Sequence, residues 1–431
     1  MEKSVKYKIP IDYFIIFGIC MLFILFALSM DTTGDIWRNY LKINCSRSVL
    51  VTDYIALAGL GAALLNSALA CTLYLLLLII NKREPDGKVI AALFVTMGFS
   101  LFGKNLFNTI PIILGVWLYG KFYKVKFSDL LIHAMFGGTI APIVSEIAFL
   151  HGDTSLVRII AAYGVGLFIG FIFPVITESA KRMHRGYCLY NGGTAGGFIA
   201  TFFVGLLRSV GIDVLPENIW NTAYSGDLAA LAFTIATTMI IYGIFKERPS
   251  GALKRYRALL NEKDINDNDY FIKYGCACYI NIGVMCILSI SLMLFLKIPI
   301  NGPVLGGILT VAGFGAAGKH FRNSFPILIG SVAGVHFNYI DTTASVNSLA
   351  VLFSTGLAPV CGKHGWQWGI VTGFLHVSVA IFIGQLNGGL NLYNNGFAGA
   401  FVTITLVPVI VFFKEIIDKN KNRHGSEEGT K

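Results

Sequence analysis

The chain has 431 residues, 55% of them hydrophobic and only 13% charged, with a formal net charge of +10. That balance excludes a soluble globular domain and is the composition of an integral membrane protein built from many helices. The positive excess sits in short loops and not in a polar basic domain, which excludes nucleic acid as a partner.

Residues 1–10 carry Lys3, Lys6 and Lys8 ahead of the apolar run Ile11–Met30, which Asp12 interrupts. The run is long and no small-residue cleavage site follows, so a retained first helix is expected. Further spans are expected at 54–80, 128–149, 156–176, 187–207, 222–245, 273–296, 345–361, 366–385 and 390–413. Shorter apolar pieces lie at 89–102, 107–120, 303–317 and 321–336. Fourteen helical residues cover about 21 Å against a hydrocarbon core of roughly 30 Å. The short pieces are therefore tilted, broken helices or re-entrant hairpins, and such backbone must be buried in protein or face a wet cavity. No recurrent alternating strands suggest a barrel.

Basic clusters follow the second span (Lys82, Arg83, Lys88), the first short pair (Lys121, Lys124, Lys126) and the helix at 222–245 (Lys246, Arg248, Lys254, Arg255, Arg257). Others precede 187–207 (Lys181, Arg182, Arg185) and close the chain (Lys414, Lys419, Lys421, Arg423). With both termini in the cytoplasm all five fall on the inner side of a bacterial cytoplasmic membrane, whether the short pairs cross or re-enter. Arg38, Lys42 and Arg47, on the expected outer loop, dissent.

The chain contains a duplication. Gly103-Lys104-x3-Asn108-x2-Pro111-x3-Gly115 recurs without a gap as Gly318-Lys319-x3-Asn323-x2-Pro326-x3-Gly330. In the same order, Asp53-Tyr54 resembles Asp269-Tyr270 and Asn66 falls opposite Asn281. Gly98-Phe99 matches Gly313-Phe314, and Ala141-Pro142 matches Ala358-Pro359. The stretch 186–196, with Tyr190-Asn191-Gly192-Gly193, matches 389–399, with Tyr393-Asn394-Asn395-Gly396. An even number of crossings per copy plus one linking helix starts the second copy on the opposite side. The expected fold is an all-α polytopic membrane protein of two inverted-topology repeats with broken or re-entrant helices and about 12–14 membrane segments. Its expected parts are an N-terminal helix and outer loop (1–52), a first repeat (53–215), a linking helix and cytoplasmic loop (216–268), a second repeat (269–415) and a cytoplasmic tail (416–431).

Inverted repeats with matched breaks place a solute site at the midplane between the copies. Asn108 and Asn323 are expected to cap short helices, with Pro111 and Pro326 in the first turn, where a missing N–H does no harm. Lys104 and Lys319 stand one turn upstream. Positive helix ends plus a lysine suit an anion or an electron-rich carbonyl; the structural alternative is lysines that snorkel and asparagines that only cap. Tyr190, Asn191, Thr194, Tyr393 and Asn394 put poor helix formers into apolar spans. They line a pathway or, in the alternative, flank a small-residue packing face from Gly192 to Gly196. Glu146 and Lys363 occupy equivalent places and could pair across the pseudo-twofold axis or serve in coupling. His133, His376 and Asp227 read more simply as packing residues. The reading requires Pro111 and Pro326 to meet at one shared gap. The eight cysteines are scattered, giving neither a zinc site nor a disulfide framework. No HExxH, Walker, GxSxG or kinase-like set is present, so no catalytic residue, cofactor or metal is expected.

At these repeated motifs the chain resembles an uncharacterised family of duplicated bacterial membrane proteins, defined only as a domain of unknown function. More distantly, Gly186-x4-Asn191-Gly192-x3-Gly196 resembles the Gly-Leu-Tyr-Gly-Phe-Asn-Gly pattern of urea transporters. Those are inverted duplications that conduct a small neutral amide and assemble as trimers. Asn-x-x-Pro here departs from their Asn-Pro, and Asn395 stands where their glycine would. The functional expectation is a channel or transporter for a small polar solute, a urea-like amide or a small anion, in contact with the lipid bilayer. Homo-oligomerisation is left open. The alternatives are an ion-coupled secondary transporter using Glu146 or Asp227, and a scaffold or receptor without flux.

Overall fold

The structure is a computed structural model that describes residues 8–149, 154–216, 218–247, 249–263, 269–338 and 345–428. Lys3, Lys6 and the last three residues of the expected tail lie outside these. The described chain is helical throughout. It begins with α1 (Ile11–Met30), an amphipathic α2 (Thr33–Asn44), a short α3 (Tyr54–Ala58) and α4 (Leu60–Ile80). The first repeat continues with α5 (Gly87–Phe99), α6 (Leu106–Tyr123), α7 (Phe127–Gly137), α8 (Ala141–Phe149), α9 (Leu156–Met183) and α10 (Asn191–Ser209). The linker is α11 (Ser225–Phe245) and α12 (Pro249–Leu259). The second repeat repeats the order as α13 (Tyr270–Tyr274), α14 (Ala277–Phe295), α15 (Gly302–Gly313), α16 (Phe321–Phe337), α17 (Ser345–Phe353), α18 (Ala358–His364), α19 (Trp366–Leu386) and α20 (Asn394–Glu428). Eight of the described helical stretches are long and apolar enough to cross a membrane.

The contacts sort helix ends onto two rims. On one rim Tyr13 bonds the Arg83 carbonyl at 2.6 Å, Lys246 pairs with Asp12, and Asp269 accepts from the Gly87 N–H at 2.8 Å. On the other, Leu50 bonds Gly389, Asp53 bonds Ile219, and the Ile300 N–H meets Ser225 at 2.8 Å. The first repeat thus starts beside Asp53 on the second rim and the second beside Asp269 on the first. The repeats run in opposite directions, as the odd crossing count requires.

The short pairs are hairpins. α5 leaves the rim of Asp269, and α6 starts near the other rim, where the Phe107 N–H meets Asn44 at 3.2 Å. α6 then returns to the rim of Arg83, which stands 3.8 Å from Asp129 at the start of α7. α15 and α16 do the same from the other side, with His320 against the Glu262 carbonyl at 3.0 Å. Only the first arm of each pair is short; α6, at 18 residues, is about 27 Å long.

α5 and α15 form the centre of the molecule. Every residue of α15, and every residue of α5 except Lys88, is buried. They cross at Gly98 and Gly306, where a Cβ on either would lie 2.5 Å from the other's carbonyl oxygen. Asp53 and Asp269 each begin a helix of their own repeat and also bind the first N–H of the opposite repeat's central helix, Gly302 and Gly87 respectively. Each repeat therefore caps the other's core helix, and neither core helix has a complete N-terminus alone.

Several expected spans are interrupted. The run 54–80 breaks at Gly59, held at φ 85°. The spans 128–149 and 345–361 break into 3₁₀ turns at Gly138–Ile140 and Ser354–Leu357. The spans expected from 187 and 390 start their helices only at Asn191 and Asn394, after non-helical segments that are largely buried.

Candidate functional site

Three paired features build the centre, each crossing from one repeat to the other. The first is the lysine loop. Gly103 and Gly318 are held at φ 89° and 113°, a region that favours glycine. They turn the chain so that Lys104 and Lys319 point inward, 1% and 0% exposed. Asn66 clasps one loop, its amide donating to the Ser100 and Lys104 carbonyls at 2.7 and 2.8 Å. Asn281 clasps the other through Gly315 and Lys319 at 2.7 Å each. The lysines do not snorkel. Lys104 donates to the Tyr393 hydroxyl and to the Met135 carbonyl at 3.2 Å. Lys319 donates to the Tyr190 hydroxyl and to Thr355 Oγ1 at 2.8 Å. Each lysine thus holds the tyrosine of the opposite repeat. The repeats differ in one detail. Gly138 stands where Thr355 does, and a Cβ on it would lie 2.7 Å from Lys104 Cε; the missing side chain is what lets Lys104 reach the backbone directly.

The second feature explains the breaks. Carbonyls freed at a 3₁₀ turn need donors, and the non-helical segments before α10 and α20 supply them. The Leu392 N–H bonds Thr139 at 2.8 Å, and the Leu189 N–H bonds Gly356 at 2.9 Å, again across repeats.

The third is a closed circuit of aromatic rings. Tyr393 contacts Phe99 (4.3 Å between centroids) and Phe136 (6.4 Å). Tyr190 contacts Phe314 (4.9 Å) and Phe353 (6.0 Å). Phe99 stacks on Phe353 at 5.7 Å and Phe136 meets Phe314 at 6.2 Å, closing the circuit. Each repeat supplies three of these rings at equivalent positions.

All six rings line a cavity of about 470 Å³. It opens on the rim of Arg83, Asp86, Lys88, Asp129 and Asp269, and Asn191, Gly193, Asn395 and Gly396 also line it. At the mouth, burial pushes the Asp269 carboxyl above the usual range, opposed by the backbone N–H groups it accepts from. The residues equivalent to Ile132, His133, Thr177, Glu178, Leu189 and Asn191 of this cavity are Leu349, Ala350, Ala380, Ile381, Leu392 and Asn394. Those six line a second space, of only about 10 Å³, with Leu50 over it. The same wall is open on one side of the ring and collapsed on the other, and Asn395 faces both.

The expected site residues divide. Tyr190, Asn191 and Tyr393 line the cavity, Asn394 lines its collapsed counterpart, and Lys104 and Lys319 lie one side chain behind the wall. Thr194 ties α10 to α20 through the Gly396 carbonyl at 3.0 Å. Asn108 and Asn323 line neither space and do not start their helices. Asn105 and His320 do, and the later asparagines sit in the first turn, accepting from those residues' N–H at 3.0 and 2.9 Å. They close the loop through Gly103 and Gly318, at 2.9 and 3.0 Å. Pro111 and Pro326 lie beyond the first turn and do not meet at a shared gap; Pro111 faces Gly166 and Pro326 faces Gly369, each in its own repeat. The convergence required from the sequence therefore fails, and any pathway has to rest on the aromatic cavity instead. The Tyr-Asn-Gly stretch lines the cavity, while Gly192 packs on Phe136, Gly196 on Thr139 and Asn391, and the close approach of the two repeats falls at Gly193 against Gly396.

Glu146 does not pair with Lys363. The Arg47 guanidinium bonds both Glu146 oxygens at 2.9 Å. Lys363 is exposed over the Tyr187 ring, and Asp227 is exposed at its helix end. His133 lines the cavity mouth, and His376 bonds Asn395 at 3.1 Å. Arg47→Ala is expected to cost about 3–5 kcal/mol, because it strands a buried carboxylate, and Glu146→Gln less; thermal unfolding in detergent measures both. The sequence pointed to Phe99 and Phe314 through the repeat, but Phe136 and Phe353 carried no signal beyond equal spacing from the Ala-Pro pairs.

A family model described as "Protein of unknown function (DUF1576)" matches residues 32–209 and 248–412. The chain belongs to this family. The two matched regions contain the two repeats, so the DUF1576 fold in this chain is the inverted pair. No curated protein and no solved structure matches the chain, and the likeness to urea transporters gains no support from these comparisons.

Proposed function

We propose that this DUF1576 protein is a carrier that moves a small polar solute across the bacterial cytoplasmic membrane by exposing one central site alternately to its two sides. The basic rim is then cytoplasmic, with both termini. One observation carries the reading: the cavity of about 470 Å³ ends at the aromatic ring, and its symmetry-related counterpart is squeezed to about 10 Å³. If the two repeats exchanged conformations, the open and collapsed spaces would exchange sides. The open vestibule has His133, Thr177 and Glu178 where the collapsed one has the smaller or apolar Ala350, Ala380 and Ile381, although Asn347, Asn394 and Asn395 also line the collapsed space.

In proteoliposomes offered small amides, carboxylates and inorganic anions, the expected result is saturable flux with counterflow. A continuous channel gives flux without counterflow, and a scaffold gives none. His133→Cys should react with an impermeant maleimide from the basic rim. Ala350→Cys should react from the other side only in a fraction of molecules that grows with solute. Simultaneous reaction of both positions in one molecule would rule out alternation. An uncoupler that abolishes uptake would add ion coupling.

A further inference from the structure

We infer that the solute is a small oxyanion, a carboxylate or a planar inorganic anion, held within the aromatic ring and neutralised by Lys104 and Lys319. The inference rests on the carrier reading for its place in transport, but the site itself stands on separate observations.

Both amines are buried, and among the described residues their hydrogen-bond partners are a carbonyl, a threonine hydroxyl and two tyrosine hydroxyls; none is a carboxylate. A buried ammonium without a counter-charge is strongly disfavoured. Elsewhere the protein pairs its buried charge, as Arg47 does Glu146. Two unpaired amines at equivalent places, each behind the wall of one cavity, leave a site that an entering anion completes.

The direction of the hydrogen bonds points the same way. The Tyr393 oxygen accepts from the Lys104 amine, so its own O–H is left to donate. Tyr190 and Tyr393 both line the cavity and come from opposite repeats. Tyr393 offers a polarised donor to an acceptor-rich solute, while the Tyr190 hydroxyl, which accepts from Lys319, also has Thr355 as a neighbour. α10 begins at Asn191 without a side-chain cap, and Asn191, Gly192 and Gly193 of its first turn line the same cavity, adding the positive end of a helix. The phenylalanine rings exclude water and suit a flat solute. The carboxylates of this cavity, Asp86, Asp129, Glu178 and Asp269, are accompanied by Arg83, Lys88 and Lys181. At the ring itself the nearest ionisable amines are Lys104 and Lys319, which a cation would oppose and a neutral amide would leave uncompensated.

The test is binding, read by thermal unfolding and by titration calorimetry on the full chain in lipid nanodiscs. The probes are sodium formate, acetate and nitrate, against formamide, acetamide and urea. The anions are expected to raise the midpoint and the amides are not. Lys104→Met and Lys319→Met should each weaken anion affinity roughly 10- to 100-fold. Each variant also strips a donor from a tyrosine oxygen and from the Met135 carbonyl or the Thr355 hydroxyl, so its ligand-free midpoint is expected to fall. The readout is the anion-induced shift measured from each variant's own ligand-free midpoint. A merely structural lysine would leave that shift intact. Tyr393→Phe keeps the ring and removes the hydroxyl, which is both the donor offered to the anion and an acceptor of the Lys104 amine, so it should weaken the anion. Midpoint shifts by amides and not by anions, or full anion affinity in both methionine variants, would overturn the assignment. Anion binding without flux would sink the carrier reading and leave the site standing. Counterflow of a neutral solute without anion binding would do the reverse.

Discussion

Gly330→Val is expected to leave little folded protein in the membrane. Gly330 closes the second lysine motif, on α16, and a Cβ built there would lie 1.9 Å from the Ile370 carbonyl oxygen of α19. The reciprocal contact is as tight, since a Cβ on Gly373 would lie 2.0 Å from the Ile327 carbonyl. The obstacle is helix backbone, which cannot rotate aside as a side chain would. The two helices must separate along their length, at a cost of about 3 kcal/mol or more. That is a large share of the stability of an ordinary domain. Gly115, its counterpart, faces the Leu167 carbonyl at 2.1 Å and should behave alike. Gly164 has open space around its Cβ position, so Gly164→Val should stay within about 0.5 kcal/mol of the parent. Yield of monodisperse protein and the unfolding midpoint decide the matter. Equal behaviour of Gly164→Val and Gly330→Val would refute the packing argument.

Asn66→Leu is expected to abolish the proposed transport and to destabilise the fold. One amide satisfies two carbonyls, Ser100 and Lys104, and both become buried acceptors without donors when it is lost. At about 1–3 kcal/mol for each orphaned group the cost is about 2–6 kcal/mol. The loss falls on the loop that aims Lys104, so function should fail before the fold does. Asn66→Asp separates shape from chemistry: an aspartate has the same outline but no N–H, and should fail as leucine does. Asn281→Leu should match it from the other repeat. Flux assays together with the unfolding midpoint provide the readout. A functional Asn66→Asp protein would mean that the clasp is not what holds the loop.

The sequence placed the repeat, its register and its inversion, because Lys, Asn, Pro and Tyr are too rare in apolar spans to align by accident. It located the glycines and lysines of the loop and the Tyr-Asn pairs at the starts of α10 and α20. It misjudged Asn108 and Asn323, because an asparagine in the first turn closing back on the chain looks, in sequence, like an asparagine before a helix. It paired Glu146 with Lys363 because equivalence by repeat is not proximity. Residues related by a pseudo-twofold axis meet only if they lie near that axis, and Glu146 instead took the arginine of an outer loop.

What the chain's order of residues determined by itself was its solvent and its symmetry: hydrocarbon composition demanded helices with every backbone group satisfied, and duplicated polar islands demanded two opposed halves. Only the tertiary structure decided which residues face the cavity. The aromatic circuit, the crossed lysine–tyrosine contacts and the reciprocal caps all join residues of different repeats. Phenylalanine in a membrane chain looks the same whether it meets lipid, a neighbouring helix or a solute. The choice among those three is made by how one half of the molecule lies against the other.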